Sequence, residues 1–324
     1  MNEADIQIIH LEDIKACLLD IDLIPIIERG FVSYASGQAV IPPVGELQFY
    51  DPPGEMHIKY GYIKEEDYAV VKIASGFYQN PAIGISSSQG LMLLFSQQTG
   101  QLRAVLLDDG YLTDVRTVIA SMITIKHLAP SQINAVGIIG TGIQAKMHLE
   151  YLPSVTDCQD IYVWARSAES KVKFEKHAVR QSLNITVTQD MDELTEVCNC
   201  IISATPSQEP LLIDRHVRSG MHITALGSDT AHKQEIDSHI VNRADVVVSD
   251  SLSQSQSRGE IHQARMAGLI SDDQVVELGA LIKDQSLGRS NEKQITIADL
   301  TGVAVQDIMI ATAIYNQHQK KLSV

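Results

Sequence analysis

Three charged residues stand where an ordinary fold would not place them. Lys72 lies in DYAVVKIASG, where it shares one strand face with Val70 and Ala74. A lysine among such neighbours snorkels to water, guards a sheet edge or serves a site. On these residues alone the edge reading is the stronger. Arg116 falls in the first turn of the helical stretch TDVRTVIASMITIKHL. A cation there opposes the helix dipole at a cost of ~0.3–1 kcal/mol. That cost is offset if Arg116 and the helix amides together hold an anion such as a substrate carboxylate. Surface pairing with Asp109 or Asp114 explains it equally well. Asp229 follows the apolar run HITALG in GSDTAHKQEID. Doubly wound sheets bind ligands beyond the carboxyl ends of their strands, so Asp229 is a candidate site residue. Its plainer role is that of a helix cap or turn residue.

A fourth feature is the glycine turn in NAVGIIGTGIQAKMHLEYL. Gly140, Gly142 and Ala145 form G-x-G-x-x-A directly after an apolar strand and at the start of a helix. The first glycine permits a tight turn and the second admits a pyrophosphate. The small third residue lets helix and strand pack closely, and the helix N-terminus attracts phosphate. Thr141, Ile143 and Gln144 of this turn, with Thr205 at the end of CNCIISAT, complete the expected cofactor-binding set. The next strand ends in Ala165-Arg166-Ser167, without the carboxylate that usually binds an NAD ribose. Arg166 and Ser167 suit a 2′-phosphate instead, which favours NADP(H) while still admitting NAD(H).

These residues need elements to hold them. Apolar runs at 135–139, 160–165, 183–188, 198–205, 222–227 and 245–250 alternate with helical patterns, one over 168–182 and another over 257–268. That alternation predicts a doubly wound parallel sheet of Rossmann type. The first 125 residues instead read as strands joined by turns, with a hairpin at Thr99-Gly100, and predict an antiparallel α+β domain. A helix from about Thr113 to Leu128 stops before Pro130. Ala304, Ile308, Ala311 and Tyr315 share one face of a last helix expected to return to the first domain. The predicted division is therefore 1–125 with 300–324 as an α+β domain, and 126–299 as the nucleotide domain, with a cleft between them.

Composition narrows the partners. The 324 residues carry a net charge of −15, which disfavours nucleic acid and anionic membranes. No apolar run is long enough to span a bilayer, and the acidic start lacks the pattern of a secretory signal, so a cytoplasmic location is expected. Cys17, Cys158, Cys198 and Cys200 fit no metal spacing; Cys198 and Cys200 alternate in an apolar run, so one of them is expected to face the core as a structural thiol, and no metal site is expected.

Taken together, the motifs resemble the ornithine cyclodeaminase/μ-crystallin family over nearly the whole chain. The landmarks are VKIASG around Lys72, LTDVRT around Arg116, GIIGTGIQA, ALGSDTAHKQEI around Asp229, RGEI at 258–261 and DLTGVAVQD at 299–307. The resemblance implies a homodimer whose discontinuous N-terminal domain, 1–125 with 300–324, is the substrate-binding and dimerisation domain. It implies that Lys72 and Arg116 bind a substrate carboxylate, that Asp229 faces the substrate nitrogen and acts in proton transfer, and that Val303 lies near the nicotinamide. Two departures bear on the substrate. Many members carry PPR where this chain has Pro42-Pro43-Val44, and Lys59 aligns with a glutamate suited to ornithine's second amine. Like charges repel, so Lys59, counted with the substrate-binding residues, weighs against ornithine. The implied activity is NAD(P)H-dependent reduction of a small α-imino acid, with 1-pyrroline-2-carboxylate giving L-proline as the leading substrate. Ornithine cyclodeamination, an alanine-dehydrogenase-like or iminosuccinate-reducing activity, and nucleotide-regulated binding in the manner of μ-crystallin are the alternatives.

Overall fold

The computed structural model describes residues 6–77, 79–178 and 182–323. The chain divides into two compact units, Met1–Arg116 with Val303–Val324 and Thr117–Gly302. The first division falls inside a helix, at 116/117 rather than at 125/126, and the second at 302/303 rather than 299/300.

The first unit is built on a seven-stranded sheet. Its strands are β1 (Gln7–His10), β2 (Ala39–Val40), β3 (Gly45–Tyr50), β4 (Pro53–Ile63), β5 (Tyr68–Gly76), β6 (Ser88–Ser96) and β7 (Leu102–Leu107). The order is β1-β7-β6-β5-β4-β2, with β3 also paired to β4. The hairpin at Thr99-Gly100 joins β6 to β7. The sheet is not wholly antiparallel: β1 runs parallel to β7 at one edge. The helices of this unit are α1 (Leu11–Leu18), α2 (Leu23–Ala35) and, from the far end of the chain, α10 (Ala304–Leu322). Asp22 caps α2 by accepting from the Ile24 amide. Gly30 of α2 lets α10 approach, since a Cβ there would meet the Met309 side chain at 2.6 Å.

Strand periodicity gives this sheet two unlike faces. On one face Ile9, Leu106, Met92, Leu94, Val70 and Ile63 are buried, with α10 packed on the sheet. On the other, Tyr60, Tyr62, Val71, Ile73, Leu91 and Leu93 are only partly covered.

The helix α3 (Tyr111–Leu128) carries the chain into the second unit. There the strands are β8 (Val136–Ile139), β9 (Asp160–Trp164), β10 (Asn184–Thr188), β11 (Cys200–Ser203), β12 (His222–Ala225), β13 (Val246–Ser249), β14 (Val275–Glu277) and β15 (Thr296–Asp299). All pair in parallel, in the order β10-β9-β8-β11-β12-β15-β13-β14. The six expected strands are present, and β14 and β15 are additional; both are short, and β15 inserts between β12 and β13. The helices are α4 (Ile143–Tyr151), α5 (Ala168–Ala178), α6 (Met191–Val197), α7 (Ser238–Arg243), α8 (Glu260–Met266) and α9 (Leu278–Lys283). Residues 179–181 of the helix expected over 168–182 lie outside the described residues. The core is aliphatic: Ile201, Ile223, Ile297 and Val247 on adjacent strands, with Leu194, Ile240 and Ile261 from the helices. Fully burying each such side chain is worth ~1.5–3 kcal/mol.

Cys198 and Cys200 are both buried, and burial pushes the Cys198 thiol up to about 12. Neither is a nucleophile at neutral pH. Among the described residues no group of three or more His, Cys, Asp or Glu could hold a metal ion, and no helix is long and apolar enough to cross a membrane.

Candidate active site

Lys72 sits on β5, between β4 and β6, so it guards no edge. Its side chain is 2% exposed, and Nζ donates to Asp307 Oδ1 at 3.0 Å. Arg116 reaches the same oxygen, with Nε 3.2 Å away, and its Nη1 donates to Gln306 Oε1 at 3.0 Å. Asp307 is itself 1% exposed, and its Oδ2 has no hydrogen-bond partner among the described residues. One buried carboxylate thus draws together a cation from the sheet and a cation from α3. Burial lowers the Lys72 pKa to about 7, with Arg116 adding to the effect, Asp307 opposing it and Lys59 contributing a smaller push downward. The ammonium is therefore poised to lose its proton near neutrality.

Lys59 lies directly across from Lys72 in the β4–β5 register and is also buried, at 7% exposure. In the β3–β4 pairing Gly45 stands opposite Ile58, so Val44 comes just before the strand that flanks Lys59. Asp108 closes the end of β7: it is buried, accepts from the Leu112 amide at 2.8 Å, and burial raises its pKa.

Arg116 does not stand in the first turn of its helix. The helix begins at Tyr111 rather than near Thr113, so Arg116 occupies the second turn, beyond the strongest field of the N-terminus. Its partners are Asp307 and Gln306 rather than a surface pairing alone. Sequence reasoning singled out neither. Both lie in the DLTGVAVQD–IMI stretch, where a carboxylate amid apolar residues was the available signal.

In the second unit the glycine turn follows β8, and β11 lies on the other side of β8 from β9. The strand order reverses there, which is where open parallel sheets bind nucleotides. A cavity of about 260 Å³ occupies the spot, lined by Gly140, Gly142, Arg166, Ser167, Thr205 and Ser207 among others. Gly140 has φ +122°, and a Cβ would come 2.8 Å from Ala204 O, so only glycine fits. Gly142 precedes α4, and Ala145 is fully buried. Thr141 also lines the cavity. Ile143 is half exposed, while Gln144 turns its carbonyl to His148 Nδ1 at 2.7 Å. Arg166 is exposed at the cavity rim. Ser167 caps the next helix, its Oγ accepting from Ser170 N at 3.2 Å. The Thr205 hydroxyl donates to Glu235 at 2.9 Å, so its side chain points into the protein.

Asp229 lies in the loop after β12. It is 42% exposed and pairs with Lys233 at 2.7 Å, while Arg258 donates to its backbone oxygen. Val303 is buried as the residue preceding α10.

A family model for the ornithine cyclodeaminase/mu-crystallin family matches residues 6–322. The chain belongs to that family. It is 39% identical over 306 residues to an uncharacterized cyclodeaminase of Sinorhizobium fredii, covering 94% of this chain and 92% of the relative. Its fold matches that of an archaeal alanine dehydrogenase dimer with bound NAD, at TM-score 0.88 and 30% identity over 98% of this chain and 97% of the other. It also matches the Thermococcus litoralis Delta(1)-pyrroline-2-carboxylate reductase in complex with NADH and L-proline, at TM-score 0.90 and 25% identity over 98% of each chain. The α/β fold with its Rossmann-type sheet is that of these neighbours.

Proposed function

We propose that this protein reduces a small α-imino carboxylate to the α-amino acid with a nicotinamide cofactor. It is an oxidoreductase acting on the carbon–nitrogen bond, as the alanine dehydrogenase and the Delta(1)-pyrroline-2-carboxylate reductase are by name. The observation that carries the substrate reading is the buried cluster of Lys72, Arg116 and Asp307. Two cations held side by side out of water match the two oxygens of a carboxylate, and charge-assisted hydrogen bonds are strongest in such surroundings. A nicotinamide cofactor held at the glycine turn would supply the hydride for the imine carbon, and the nitrogen would then need a proton. Asp229, beyond the carboxyl end of β12, is the proposed acid–base group, with Lys233 tethering its carboxylate. Val303 is proposed to lie near the nicotinamide.

Within this class 1-pyrroline-2-carboxylate, giving L-proline, remains the leading substrate, and linear imino acids such as iminosuccinate or that of alanine follow. Ornithine cyclodeamination is disfavoured by one observation: Lys59 is buried beside Lys72, where an incoming ammonium would be repelled. Pure nucleotide-regulated binding has no need of Lys72, Arg116 and Asp229 together. NADP(H) is proposed ahead of NAD(H), because Arg166 and Ser167 line the cavity where an NAD site would carry a carboxylate. A second copy of the chain is proposed to cover the partly exposed apolar face around Tyr60, Val71 and Leu93.

The test is oxidation of NADPH and NADH by the purified protein against cyclic and linear α-imino acids, beside ornithine with NAD+. Turnover of imino acids without ornithine cyclisation is expected; ornithine as the sole substrate would overturn the reading.

A further inference from the structure

Glu235 is fully buried in the second unit, yet four donors converge on its carboxylate. Oε1 accepts from Ser203 Oγ at 2.6 Å, Thr205 N at 2.6 Å and Thr205 Oγ1 at 2.9 Å. Oε2 accepts from Gly227 N at 2.7 Å. The donors belong to two different strand ends: Ser203 and Thr205 leave β11, and Gly227 leaves β12. The junction is tight, since a Cβ on Gly227 would lie 2.1 Å from Thr205 O and 2.6 Å from Glu235 Oε2. Glu235 is in turn held in place. Its amide and that of Ile236 donate to Glu260 at 2.8 and 3.2 Å, and the Ile261 amide donates to Asp299 at 2.9 Å, fixing the start of α8 on β15.

What Glu235 fixes is a wall of the cavity at the strand-order reversal. Ala204, Thr205, Pro206 and Ser207 line it opposite the glycine turn, and Ala204 O is the atom that excludes a side chain at Gly140. The loop leaving β12 goes on to Asp229.

We infer that Glu235 is a positioning residue for cofactor binding: one carboxylate sets the 204–207 wall against the glycine turn and anchors the loop that bears Asp229. It acts through Thr205 and Gly227 and makes no contact with the nucleotide itself. A carboxylate suits the task because both of its oxygens accept. A glutamine must turn its NH2 toward either Gly227 N or the Ser203–Thr205 donors, setting donor against donor in a buried site. The inference rests on reading this cavity as the nucleotide site.

The experiment titrates NADH and NADPH by nicotinamide fluorescence into the wild type, Glu235→Gln and Thr205→Val, alongside thermal melts and KM for the imino acid. Glu235→Gln should weaken cofactor binding about 10- to 150-fold, the range for a lost charge-assisted bond, while the imino-acid KM moves less than about threefold. Thr205→Val, which removes the hydroxyl that donates to Glu235 and accepts from the Ser207 amide, should lose about 2- to 10-fold. If Glu235→Gln fails to fold, Thr205→Val carries the test. A folded Glu235→Gln, or failing that a Thr205→Val, with wild-type cofactor affinity overturns the inference, even if its melting temperature falls. A wild type that binds neither nucleotide overturns the reading of the cavity, and the inference with it.

Discussion

Replacing Lys72 with Met keeps most of the side-chain volume and removes one of the two cations that meet at Asp307 Oδ1. Arg116 remains on that oxygen, so Asp307 keeps a partner and the fold should survive. If Lys72 receives the substrate carboxylate, the loss is one charge-assisted hydrogen bond, worth ~1.5–3 kcal/mol, or about 10- to 150-fold in kcat/KM, appearing mainly in KM. The pH dependence gives a sharper test. Only the ammonium form binds a carboxylate, and in the folded protein that form is lost as pH rises through about 7. The wild-type kcat/KM should therefore fall on an alkaline limb centred near neutrality. The limb in kcat should lie higher, because a bound carboxylate favours the charged lysine. Lys72→Arg keeps the cation at every working pH and should abolish the limb while retaining much of the affinity. Linkage sets the sign for stability. The folded state binds fewer protons than the unfolded chain between about 7 and the ordinary lysine value of 10.5, so this residue's contribution to stability rises with pH across that window. The melting temperature of the wild type relative to Lys72→Met should accordingly climb from pH 7 to 10. An unchanged kcat/KM in Lys72→Met, or the same alkaline limb persisting in both variants, refutes the assignment.

Asp229→Asn keeps size and one acceptor but cannot exchange a proton, so kcat should fall roughly 10²- to 10⁴-fold with NADPH affinity intact. Near-normal turnover in that variant moves the proton to another group, with Lys72 first in line. Arg166→Ala should weaken NADPH in a fluorescence titration and leave NADH little changed; equal losses mean that Arg166 does not read a 2′-phosphate. Tyr60→Glu places a charge on the partly covered face of the first sheet, and light scattering should show a dimer dissociating toward monomer. An unaltered oligomer, or a monomeric wild type, removes that face as the contact between copies.

Much of the second unit was legible in the sequence because its signals are local. A strand buried on both faces reads as an apolar run, and a turn that must admit a pyrophosphate reads as glycine at fixed spacing. Gly140 illustrates the link: the backbone demands positive φ and Ala204 leaves no space for a side chain. The strands β14 and β15 escaped because three or four residues, ending in Glu277 and Asp299, carry too little periodicity to stand out. The parallel edge strand β1 escaped for a different reason, since pairing partners are chosen by tertiary contact and not by local pattern.

For the site, the sequence determined which residues were unusual, and the fold decided what they do. Lys72 reads first as an edge guard and only second as a ligand until β4 and β6 flank it and remove the edge. Arg116 reads equally as a surface ion pair or an anion holder until α10, from the other end of the chain, delivers Asp307 and Gln306 to it. No spacing rule joins positions 72, 116 and 307. Their meeting is a product of helix and sheet packing, and so is the fall of the Lys72 pKa to about 7, because burial and neighbouring charge exist only once the chain has folded.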